Sequence, residues 1–150
     1  MSKMSKTEIR TFLNKGTFTG KLATVKKDGS SHVVPIGFVL DSRNSKDLGN
    51  IYFTTFEGSV KAENIQRDNR LSICIDDQTP LFSFVTIHGT AKIYPYKQKE
   101  VMKWATRIAE RYVGKKDARA YGERNSGEGA ILVRIKPVKI IAEKDTAAWT

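Results

Sequence analysis

The chain has 150 residues, of which 39% are apolar and 28% charged, and it carries a net charge of +10. That length holds one ordinary domain with a real core, and the balance is that of a folded soluble protein rather than a disordered one. No run approaches the ~18 apolar residues of a membrane span, the start MSKMSKTE lacks an apolar signal core, and the single cysteine forms no internal disulfide, so a cytoplasmic protein is expected.

The capping-box pattern Ser5-Lys6-Thr7-Glu8, followed by Ile9, Phe12 and Leu13, predicts a short amphipathic helix that stops near Gly16. GKLATVKKDGSSHVVPIGFVL then predicts a hairpin turned at Lys27-Asp28-Gly29-Ser30. Pro35 has no N–H to give a ladder, so the second strand lies at an edge or bulges there. The polar loop DSRNSKDLGN leads to a third strand at 51–55, and a short helix begins near Ser59. LSICID is strand-like, with Cys74 expected as a small buried thiol. Asp76 and Asp77 belong to the turn after it.

In LFSFVTIHGTAKI, Leu81, Val85, Ile87, Ala91 and Ile93 share one face, while Phe82, Phe84, Thr86 and His88 share the other. Both faces carry bulk, so a strand covered on both sides is expected, with a bulge at Gly89. Across 97–113, Val101, Trp104, Ala105, Ile108 and Tyr112 form a helical stripe that makes Trp104 a core anchor. A further helical piece spans 116–124, and Gly127 and Gly129 form a turn before the strand AILVRIKP. Pro137 then precedes the apolar stretch VKIIA. The sum is about six strands whose connections are too short for crossover helices: a mainly β fold, a small antiparallel barrel with peripheral helices.

The chemistry-bearing residues are few. With only His32 and His88 there is no metal-ligand spacing. The positive charge favours an anionic partner. It is concentrated in 3–27 and 97–119 rather than packed into one basic run, which argues against simple nucleic-acid binding; a scattered solvated surface is the first reading and attraction of an anionic ligand the next. The segment YFTTFEGSVKAENIQRD, residues 52–68, offers a seat for such a ligand. A helix N-terminus presents unpaired N–H groups and partial positive charge. Ser59 stands at the N-cap, Lys61 in the first turn, and Thr54 and Thr55 add hydroxyls on opposite faces of the preceding strand. A first-turn lysine opposes the helix dipole, and a bound phosphate reverses that sign. Glu57 repels phosphate unless it turns outward. The bland alternative is that Ser59 only caps and Lys61 is only solvated.

Three stretches, GKLATVKKDGSSHVVPIGFVL, IYFTTFEGSVKAENIQRDNRLSICIDD and PLFSFVTIHGTAKI, follow one another across residues 16–93. With the tail RYVGKKDARAYG…ILVRIKPVKIIA, they resemble the split β-barrel proteins of the pyridoxamine 5′-phosphate oxidase-like superfamily. The closer likeness is to its small branch that uses FMN or the deazaflavin coenzyme F-420. The resemblance implies a six-stranded antiparallel split β-barrel of the FMN-binding type, forming a homodimer with cofactor sites between the subunits. It implies that Pro35, Ile36, Gly37 and Phe38 line the isoalloxazine-type ring. Thr54, Thr55, Ser59, Lys61 and Asn64 would hold the phosphate side, with Pro80 and Phe82 of the partner subunit completing the site. The chain departs from the pattern at Glu57-Gly58-Ser59, where many relatives carry an arginine.

The implied activity is a flavin- or deazaflavin-dependent oxidoreductase acting on a small molecule. The cofactor carries the hydride, and no residue of the chain takes a catalytic role. Two other readings stand beside it. One is a non-catalytic module of the same fold that holds flavin or haem. The other is a basic nucleic-acid-binding barrel, which requires exposed aromatics on one face.

Overall fold

The computed structural model describes residues 2–43 and 45–149. Its first strand, β1 (Ser2–Lys3), is two residues long and pairs with the far end of the chain. The capping box then closes as expected. Ser5 Oγ accepts from the Glu8 N–H at 3.1 Å, and Glu8 accepts from the Ser5 N–H at 3.0 Å, starting α1 (Lys6–Asn14). The hairpin follows as β2 (Gly20–Val25) and β3 (Ser31–Ile36), turning at Gly29 with a φ of +87°.

Here the structure departs from a single second strand. β3 stops at Ile36, the chain bends at Gly37 and Phe38, and β4 (Val39–Asp41) continues in a new direction. A polar loop follows, in which Asn44 lies outside the described residues. Then come β5 (Asn50–Phe56), α2 (Val60–Arg67), β6 (Arg70–Asp77) and β7 (Ser83–Tyr94). The helices α3 (Gln98–Val113) and α4 (Lys115–Arg124) are parted by Gly114, and β8 (Ala130–Lys144) closes the fold.

All strand pairings are antiparallel, in the order β3-β2-β6-β7-β8-β5-β4, with β1 added against β8. The two outermost strands of that order, β3 and β4, are consecutive in sequence. The sheet therefore curls until two halves of one bent strand serve both of its edges, which makes a split half-barrel. The bend and the short β1 raise the expected six strands to eight. Pro35 sits exposed on the edge strand β3, as its missing N–H requires.

β8 runs unbroken through Pro137. Gly89 faces Pro137 while His88 faces Lys139, so Val138 bulges out of the ladder and is 73% exposed. The missing N–H of Pro137 thus falls where the pairing is already interrupted. The bulge expected at Gly89 is present, and its cause is close backbone approach: a Cβ there would lie 2.5 Å from the Lys136 carbonyl oxygen.

Leu22, Phe38, Phe53, Ile73, Ile87 and Val133 are fully buried inside the curl. A second cluster lies outside it, where Trp104 of α3 stacks on Tyr52 of β5 at 4.0 Å between Val39 and Leu132. Trp104 is a core anchor, as its stripe predicts. β7, by contrast, is covered on one face only. Val85, Ile87 and Ala91 are buried, but Phe84 and Thr86 are half-exposed and His88 is exposed, bonded to Ser72 Oγ at 2.7 Å. Leu81 precedes the strand and is exposed. Cys74 lies half-exposed on that same open face rather than buried. Asp76 and Asp77 close β6 instead of forming its turn, and Asp76 accepts from Lys21 Nζ at 2.8 Å. No helix among the described residues is long and apolar enough to cross a membrane.

The bulge is testable. Gly89→Ala should cost about 1–3 kcal/mol, the range for forcing extra volume into a packed site, read as a lower denaturation midpoint. A change under about 0.5 kcal/mol, the size of an ordinary surface substitution, would mean that the bulge relaxes freely.

Candidate functional site

Side chains alternate along β5, and this alternation builds the corner before α2. Ile51, Phe53 and Thr55 point into the curl, while Tyr52 and Thr54 point out and are half-buried. Thr55 is a buried hydroxyl, satisfied by Ser59 Oγ at 3.0 Å. Ser59 in turn caps α2 by accepting from the Ala62 N–H at 3.3 Å. These two hydroxyls are bound to each other and to the helix start.

Lys61, in the first turn, is half-buried. Burial alone pulls its pKa below the ordinary lysine value, with no counter-charge contributing among the described residues. An ammonium held this way stands against the positive end of a helix dipole, partly desolvated. Glu57 is exposed at the tip of the loop, and its N–H donates to the Gly129 carbonyl at 2.9 Å, tying the corner to the turn before β8.

Asn64 is otherwise engaged. Its Nδ2 donates to Thr24 Oγ1 at 3.0 Å and its Oδ1 accepts from Arg67 at 3.3 Å, with Asn64 and Thr24 both buried. It fastens α2 to β2 and faces inward.

The residues expected to line the ring sit at the bend. Pro35 faces Lys21 and Ile36 faces Gly20 at the end of β3. Beyond the bend Val39 faces Tyr52. Phe38 itself is taken on every side. Its ring is buried, its N–H donates to Tyr112 Oη at 3.1 Å, and its carbonyl accepts from Arg111 at 3.1 Å. Of the other residues expected to line the ring, Pro35 is exposed and Gly37 half-buried, whereas Ile36 is buried in the same core cluster as Phe38. Tyr112 appears in the sequence only as part of a helical stripe and Arg111 not at all. Their contacts span 74 and 73 residues, so no local signal marks them.

Pro80 and Phe82 lie beyond the far end of β6 from α2. β6 carries Arg70 next to α2 and Asp77 next to the Pro80–Phe82 turn. Eight residues of strand put these ends about 23 Å apart at ~3.3 Å per residue. Pro80 and Phe82 are both exposed there. The turn is strapped by the C-terminal segment, whose Thr146 N–H donates to the Phe82 carbonyl at 2.9 Å and Ala147 N–H to the Leu81 carbonyl at 3.0 Å. It borders a cleft of about 700 Å³ lined by Lys21, Cys74, Asp76, Phe82 and Phe84. Within one protomer Pro35 and Ile36 pair with Lys21 and Gly20, and these with Cys74 and Ile75, so the end of β3 lies toward the Asp77 end of β6 and the cleft beside Phe82.

The sequence model of the pyridoxamine 5′-phosphate oxidase family matches residues 5–142. A 5a,11a-dehydrotetracycline/5a,11a-dehydrooxytetracycline reductase of Streptomyces rimosus is 32% identical over 87 residues, which cover 54% of this chain and 58% of the relative. The chain thus spans little more than half the length of that curated relative. The crystal structure of a conserved hypothetical protein from Mycobacterium tuberculosis superposes with a TM-score of 0.79 at 26% identity, covering 96% of this chain and 87% of that one. An F420 reductase superposes with a TM-score of 0.66 at 20% identity, covering 87% of this chain and 94% of that one, a likeness of fold.

The inward role of Asn64 can be checked. Asn64→Ala should lower stability by about 1–3 kcal/mol, because it leaves the Thr24 hydroxyl buried without its partner. Anion affinity should hold. A tenfold loss of affinity at unchanged stability would place Asn64 on the ligand instead.

Proposed function

The chain belongs to the pyridoxamine 5′-phosphate oxidase family, a family of flavin-type oxidoreductases, and we propose that it is a cytoplasmic oxidoreductase holding FMN or coenzyme F-420. Hydride passes between that cofactor and a small-molecule substrate. The observation that carries this reading is Lys61: a half-buried ammonium at a helix N-terminus with no counter-charge among the described residues. An anionic group seated there relieves both the desolvation and the dipole, so the residues present fit the phosphate side of either cofactor.

Lys61 and the N-terminus of α2 bind the phosphate. Thr54 stands beside them, and the shelf of Pro35, Ile36 and Gly37 orients the flat ring. Ser59 and Thr55 hold the helix start rather than the ligand. The bound cofactor supplies the hydride chemistry, and the chain contributes orientation and exclusion of water. The Streptomyces relative, itself a reductase of dehydrotetracyclines, supports the direction of transfer toward a substrate.

In one protomer Pro35 is exposed and Gly37 half-buried, and the outer face of β3, β2, β6 and β7 is uncovered, with Val33 62% exposed. A homodimer packed through that face would wall the site and bring in Pro80 and Phe82 of the partner subunit. The nucleic-acid reading has less behind it. Exposed Phe56, Tyr96 and Tyr121 lie at the end of β5, before α3 and on α4, and Phe82 and Trp149 lie at the strapped turn and the C-terminal segment, so the five are spread over separate elements rather than one stacking face.

Titration of the purified protein with FMN and with F-420, followed by absorbance and fluorescence, should show micromolar or tighter binding of one of them. Binding of neither would remove the proposal. Lys61→Ala should weaken that binding by about 1.5–3 kcal/mol, the worth of a charge-assisted hydrogen bond. Unchanged affinity would take the phosphate role from this residue. The pH dependence follows in sign. The charged form binds the anion, so affinity should fall as pH rises through the depressed Lys61 pKa, below the ordinary lysine value. Lys61→Arg, which stays charged, should flatten that fall.

A further inference from the structure

We infer that Tyr112 is a positioning residue for the cofactor shelf: its hydroxyl, with Arg111 beside it, sets the backbone of the Gly37–Phe38 bend against which the ring lies. The inference rests on the reading of Pro35, Ile36 and Gly37 as that shelf. At the bend the chain leaves one edge of the sheet for the other, and Phe38 precedes the first paired residue of β4. Both of its backbone groups are served by neighbouring side chains of α3. Tyr112 Oη accepts from the Phe38 N–H at 3.1 Å and donates to the Phe18 carbonyl at 2.9 Å. One hydroxyl has one proton and two lone pairs, so both bonds are made at once.

Arg111 donates to the Phe38 carbonyl at 3.1 Å, the Gly16 carbonyl at 3.0 Å and the Lys15 carbonyl at 3.2 Å, with its guanidinium 4.6 Å over the Phe38 ring. The bend is thereby tied to the end of α1 and to the entry of β2. The Tyr112 ring closes the remaining freedom, because a Cβ on Gly37 would lie 3.0 Å from its Cε2.

The shelf is thus positioned from α3, which is anchored independently by Trp104 on Tyr52. Tyr112 acts behind the shelf and does not face the ligand. Misplacement of a binding surface by about 1 Å can cost as much as ~100-fold in a function that depends on orientation. Loss of one hydroxyl behind the shelf therefore has a reach beyond its local bonds.

The test is Tyr112→Phe, which keeps the ring and deletes the two hydrogen bonds, compared with Lys61→Ala in the same titrations. Tyr112→Phe is expected to keep the far-ultraviolet circular dichroism, to lose roughly tenfold or more in affinity for FMN or F-420, and to shift the visible absorption of the bound cofactor. Amide exchange at Phe38 should quicken with or without cofactor. Lys61→Ala should lose affinity with the bound spectrum unchanged, since it acts at the phosphate. Arg111→Gln, which keeps a single donor group, gives the same readouts should Tyr112→Phe not fold. Wild-type affinity and spectrum in the folded variant would overturn this inference alone. A wild-type protein that binds neither cofactor would overturn the underlying reading and this inference with it.

Discussion

Closure of the sheet through one bent strand is the constraint that orders the rest of the molecule. An open sheet has two edges of unpaired backbone groups, and a barrel removes them by joining edge to edge. Here the joining segment is β3 and β4, and their direction changes within Gly37 and Phe38. No strand can serve the backbone at such a corner. A buried N–H or carbonyl left alone costs about 1–3 kcal/mol, so partners must come from outside the sheet. α3 provides them through Tyr112 and Arg111, and is itself held by the stack of Trp104 on Tyr52. Gly37 suits that corner, because a Cβ there would lie 3.0 Å from Tyr112 Cε2.

α2 follows directly from β5. Ala62 and Ile65 enter the core beneath it, and Asn64 fastens it to Thr24. With those positions committed inward, Lys61 is left at the margin, partly desolvated and without a counter-charge. In a medium less polarisable than water that arrangement favours a fixed anion more strongly than a surface lysine would. The net charge of +10 adds long-range attraction of the same sign.

The two sides of the sheet are treated unequally. α3 covers the outside of β4, β5 and β8, whereas the outside of β2, β6 and β7 presents Cys74, Phe84, Thr86 and the Ser72–His88 pair to the exterior. A strand with bulk on both faces, as β7 has, suits a sheet sandwiched between layers. Among the described residues of one chain, only one of those layers is supplied.

What could be read along the chain alone was everything whose cause is local. The Ser5–Glu8 box, the Asp28-Gly29 turn, the stripe that buries Trp104, the bulge at Gly89 and the Ser59 cap each depend on residues a few positions apart or on one regular period. The likeness of three ordered stretches then brought the fold within reach, together with a candidate corner at Thr54–Lys61. Tertiary structure alone decided that the second strand breaks in two, that Asn64 turns inward, that Cys74 and one face of β7 stay open, and that Tyr112 grips Phe38. The reason is physical. Alternation and propensity say which residues can be buried, but pairing across 74 residues decides which of them are and what their backbone must bond to.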